Sequence, residues 1–89
     1  MNNRSISIEA LLYEEDSIQD QIDNIVLELI KVRKKNKMTQ TELSRSTGIP
    51  QATISRIESL YSVPTLKILL KISNALGLSL SLKQVGEPQ

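Results

Sequence analysis

Gln51, Ala52, Ser55, Arg56 and Ser59 are spaced to share the outer side of one short helix, with Ile54 and Ile57 on its inner side. An amide, a guanidinium, two hydroxyls and a methyl group form a short polar surface able to read base edges. They do not form a catalyst. The chain of 89 residues has no cysteine and no histidine, which excludes disulfides, a thiol nucleophile and the usual zinc constellations. No acid, base and nucleophile converge on one stretch, so catalytic and metal-ligating residues are expected to be absent, as is any cofactor.

The elements that must hold this face are legible from local signals. Thr39 followed by Glu42 is the Thr-x-x-Glu spacing in which hydroxyl and carboxylate reciprocally satisfy free amides at a helix start, so a helix opens at about Thr39. Met38 stands just before this cap as a hydrophobic staple, and Leu43 is the apolar anchor. Gly48 supplies the left-handed residue that ends this short helix in the turn Thr47-Gly48-Ile49, and Pro50 fits the first turn of the next. The second helix must stop before Val63, the residue preceding Pro64, which leaves a loop over residues 60–64. Thr65 then caps a helix in which Leu66, Leu69, Leu70, Ile72 and Leu76 face the core until Gly77.

Upstream, Asp16 and Ser17 signal the start of a long helix with Ile18, Ile22, Ile25, Val26, Leu29 and Ile30 along one stripe, reaching about Asn36. Before it, Ile8, Leu11 and Leu12 among Glu9, Glu14 and Glu15 predict a separate short acidic amphipathic helix, preceded by a frayed Met1–Ser5. Downstream, Leu78-Ser79-Leu80-Ser81-Leu82 changes to strict alternation, the pattern of a strand with one apolar face. A lone strand cannot satisfy its backbone, and the simplest partner is the same strand of a second copy, burying Leu78, Leu80 and Leu82 across a two-fold axis. A fifth helix is the competing reading. Residues 86–89 are expected to form a disordered end.

Composition narrows the class. Aromatics are 2% of the chain, both tyrosines, so the core is Leu, Ile and Val and a stacking platform for single strands is disfavoured. No apolar run is long enough for a signal peptide or a membrane span, which predicts a cytoplasmic protein without membrane partners. The formal net charge of +1 hides an asymmetry. Residues 1–28 carry Arg4 against seven acids, a net of −6, whereas residues 29–89 carry ten Lys or Arg against three acids, a net of +7. A polyanion would be drawn to the second part only.

The run from Thr39 to Glu58, with Leu43, Gly48, Ile49, Ile54 and Ile57 at these spacings and Pro64 and Leu69–Leu76 beyond, resembles the helix-turn-helix of the phage repressor and Cro family. The resemblance covers residues 25–80. The chain departs from it at Pro50, where relatives usually place Ser or Thr, and at Leu60, where they usually place Gly. The fold class it implies is all-α, a lambda-repressor-like helical bundle, here with an N-terminal acidic helix and a short C-terminal dimerising β-strand. The expected domains are an acidic extension over 1–17, the DNA-binding domain over 18–77 and a strand and tail over 78–89.

The resemblance also implies roles. Gln51, Ala52, Ser55 and Arg56 would contact bases, Gln bonding adenine bidentately, Arg guanine, and the Ala methyl meeting a thymine methyl. Thr39, Gln40, Thr53, Lys37, Arg45 and Lys67 would contact phosphates, and Arg33 would pair with Glu58. Function is expected to be that of a sequence-specific duplex-DNA repressor, a homodimer on a palindromic operator. The alternative is the antitoxin of a toxin–antitoxin pair that binds a basic toxin through its N-terminal segment and autoregulates its operon.

Overall fold

A computed structural model describes the backbone of residues 8–86 and the side chains of residues 17–86. The expected fraying of Met1–Ser5 and disorder of residues 87–89 lie outside this range, as do the side chains of Ile8, Leu11 and Leu12. Among the described residues there are four helices and no strand: α1 (Ile8–Lys35), α2 (Gln40–Thr47), α3 (Gln51–Glu58) and α4 (Leu66–Ala75). No helix among them is long and apolar enough to cross a membrane.

The first correction to the sequence reading is α1 itself. Where two helices were expected, one runs for 28 residues through Asp16 and Ser17. No Gly or Pro interrupts this span. A cap signal is worth about 1 kcal/mol, whereas breaking a helix forfeits its bonds and requires a second nucleation, so continuation wins. The helix is about 42 Å long at 1.5 Å per residue, and its second half packs into the core. Val26 and Leu29 are buried and Ile22 half-buried, while Ile18 is 55% and Ile25 43% exposed.

α2 starts on the capping box. The Thr39 hydroxyl accepts from the Glu42 N–H at 3.0 Å, and the Thr39 N–H donates to Glu42 Oε1 at 2.8 Å. The Thr39 backbone N–H foremost, and the Thr39 hydroxyl after it, hold the Glu42 carboxyl below its ordinary pKa. Their stabilising contribution is therefore present above the ordinary Glu range and is lost as pH falls through the lowered folded-state value. Gly48 ends α2 at φ 76°, donating its N–H to the Ser44 carbonyl. Pro50 sits at the cap of α3 rather than inside its first turn, its carbonyl accepting from Thr53 and Ile54 N–H.

The exit from α3 is made by Leu60 at φ 64°, a left-handed residue without glycine's freedom. The Arg56 carbonyl accepts from both Tyr61 and Ser62 N–H, which closes the helix end around that residue. α4 is capped by the Thr65 hydroxyl, which accepts from the Ile68 N–H at 3.1 Å.

The core is Val26, Leu29, Leu43, Ile49, Ile54, Ile57, Ile72 and Leu76, with Met38, Leu69 and Leu78 against it. α2 packs on α3 and α4, and α1 on α3. Two residues expected to face this core do not: Leu66 is 65% and Leu70 39% exposed, and both line a groove with Leu80, Ser81 and Leu82. The tail is the second structural correction. Residues 78–85 form neither the expected strand nor the alternative helix. Leu78 donates its N–H to the Ser73 carbonyl and packs on the core, but a segment with no strand beside it among the described residues has nothing to pair with. Leu82 and Val85 stand fully in solvent.

Candidate nucleic-acid interface

The outer face of α3 is built by what lies behind it. Ile54 and Ile57, 0% and 2% exposed, anchor the helix in the core, so Gln51, Ala52, Ser55, Arg56 and Ser59 are left exposed on the opposite side. Thr53 is half-buried between the two faces. Polar ties to the neighbouring helices add to this anchoring.

The main tie is centred on Arg33. Its Nε donates to Glu58 Oε2 at 2.7 Å and its Nη2 to Glu58 Oε1 at 2.7 Å, a bidentate geometry that only a guanidinium provides. Nη1 donates to the Met38 carbonyl at 2.7 Å, fixing the link between α1 and α2. Gln40 Nε2 adds a bond to Glu58 Oε1 at 3.0 Å. One carboxylate thus joins the end of α1, the start of α2 and the end of α3. The two side chains are 9% and 13% exposed, so water competes little for them.

A second tie joins the starts of the two short helices. The Thr41 hydroxyl donates to Gln51 Oε1 at 3.1 Å. Both residues are exposed, and sequence reasoning passed over Thr41 entirely. Nothing in a periodicity marks a polar surface residue as the orienter of another ten positions away; only the turn geometry around Gly48 brings them together.

The remaining candidates are placed less uniformly. Lys37 follows α1 in a left-handed conformation, φ 56°, exposed beside Lys34 and Lys35. A cation there also favours the negative end of the α1 dipole. Thr39 is exposed but its hydroxyl oxygen is engaged in the cap, and the Gln40 side chain is engaged by Glu58. What Thr39 and Gln40 present outward is the start of α2, where amides point away from the helix. Arg45 and Lys67 are exposed. Leu80 and Leu82 line the apolar groove with Leu66 and Leu70, and Leu78 is half-buried.

Residues 29–83, well over half of the chain, match a family model described as helix-turn-helix. The chain is also similar to "Antitoxin HipB" of Escherichia coli (strain K12), 45% identical over 51 residues. That match covers 57% of this chain and 58% of the relative, so the chain spans little more than half of the relative's length. No solved structure matches.

Proposed function

We infer that this chain, which belongs to the helix-turn-helix family of Cro/CI-type DNA-binding regulators, is a repressor that reads duplex DNA with the outer face of α3. The observation carrying this reading is the exposure of Gln51, Ala52, Ser55 and Arg56 on a helix whose other side is sealed by Ile54 and Ile57 and tied by Glu58. Such a helix enters the major groove, with the start of α2 on the backbone and Lys37, Arg45, Thr53 and Lys67 adding phosphate contacts. Arg56 would donate to guanine N7 and O6. Replacing it with Ala is expected to cost about 1–3 kcal/mol on the selected site and to relax preference at one base pair. Titration of both proteins on the selected and on scrambled duplexes decides it. Equal losses on the two would remove Arg56 from base reading.

The reading includes a homodimer. Leu66, Leu70, Leu80 and Leu82 line one groove and, with Val85, are exposed, an apolar surface that the other described residues leave uncovered. In a second copy the unpaired tail would find the strand partner it lacks, and a two-fold assembly calls for a palindromic operator. Truncation after Gly77 is expected to leave the helices folded while self-association falls. Sedimentation equilibrium of both chains tests this, and an unchanged dimer would move the interface elsewhere.

An antitoxin role is the second reading, favoured by the similarity to HipB and by the segregated charge. The first half of α1 holds the acidic excess. A basic toxin is the complementary partner. Co-purification of the chain with the product of the adjacent reading frame, and its loss on deleting residues 1–17, would support the reading; retention after the deletion would rule out that segment as the contact.

A further inference from the structure

We propose that Thr41 is a positioning residue for Gln51 and thereby selects the base that Gln51 prefers, an inference that rests on α3 being the groove helix. A glutamine amide carries an acceptor oxygen at one corner and a two-hydrogen donor at the other. With both corners free it can match adenine, donating to N7 while accepting from the N6 amino group. Here the corners are not equivalent. The Thr41 hydroxyl holds Oε1 at 3.1 Å and turns the carbonyl toward α2. Nε2 has no partner among the described hydrogen bonds and is left as the outward group of the first residue of α3.

The tie is set by the framework rather than by the two side chains alone. α2 and α3 are joined through the Gly48 turn, and Gln40 and Glu58 bond across them. Thr41 and Gln51 therefore meet at a distance that the fold imposes. An outward amino group favours a base edge made of acceptors. Guanine offers N7 and O6 side by side, whereas adenine would set its N6 amino group against the amide's own. The wild-type chain then prefers guanine over adenine at the Gln51 position, the reverse of what an unrestrained glutamine selects.

The test uses the full chain and a pool of randomised duplexes to define the site, followed by duplexes that differ at the Gln51 base pair alone. Thr41→Val keeps the side-chain shape and deletes the hydroxyl, freeing the amide to rotate. The guanine-to-adenine affinity ratio is expected to fall by about fivefold or more, the low end of what one bidentate contact discriminates. Thr41→Ser, which restores a hydroxyl, should restore the wild-type ratio, and Gln51→Ala should abolish the effect of Thr41→Val. A structural role for Thr41 would lower affinity for every base alike, leaving the ratio unchanged, and would overturn the proposal. Should Thr41→Val fold poorly, Thr41→Ala reads the same ratio. If the wild-type chain binds no duplex at low salt, the reading of α3 fails and this inference with it. Binding with an unaltered ratio sinks the inference alone.

Discussion

Arg33→Met is expected to lower folding stability by about 3–5 kcal/mol, because it leaves the Glu58 carboxylate in a largely buried position without its charge partner. An exposed ion pair would be worth under about 1 kcal/mol, and the geometry places this one near the buried limit. The side chains are 9% and 13% exposed, the bonds are bidentate, and the third guanidinium corner is spent on the Met38 carbonyl. Glu58→Leu should be comparably costly, since Arg33 then keeps only the Met38 bond and Gln40 loses its acceptor. The double replacement should cost less than the sum of the two, as it removes both charges and substitutes apolar volume. Urea unfolding of the four proteins gives the coupling directly. Additive losses, with DNA affinity falling only in the Arg33 variant, would instead assign Arg33 to a phosphate.

How far the sequence could be read depended on how local each signal was. The Thr39–Glu42 cap and the Gly48 turn are decided within four residues, and their chemistry has few alternatives. Asp16 and Ser17 offered a similar start signal, but such a residue is tolerated inside a helix when both flanks propagate it, and nothing local reports that competition. Periodicity showed that Ile18, Ile25, Leu66 and Leu70 lie on apolar faces; it could not show that the other described residues leave them exposed. The alternation of Leu78, Leu80 and Leu82 describes a capacity to pair, and the described residues hold no partner strand for it. Thr41 was missed for the opposite reason, since its bond to Gln51 is a contact across the turn and its residue type is ordinary for a surface.

DNA affinity is expected to fall by about three orders of magnitude between 50 and 200 mM salt, an effect larger than that of any single base contact. Three cations offered as phosphate contacts, Lys37, Arg45 and Lys67, are exposed. A two-fold dimer would present six, and at about −0.9 in log K per neutralised phosphate the slope against log salt is about −5. The chain's formal charge of +1 argues for a much weaker dependence only if the acids near its start act at the same place. They do not. From Asp16 to Lys35 along one continuous helix is about 28 Å at 1.5 Å per residue, against a screening length of about 8 Å at physiological ionic strength. On the proposed reading the DNA would meet the basic part of the chain, and the acidic half of α1 would contribute little to the slope. Deleting residues 1–17 should leave that slope within about one unit of the full chain's, while Lys37→Ala or Arg45→Ala should each make it shallower by about two in the dimer, one per protomer. Fluorescence anisotropy on the selected duplex across a salt series measures all three. A full-chain slope near zero would mean that these cations do not reach phosphates, and a large steepening on deletion would mean that the acidic segment lies back over the basic face.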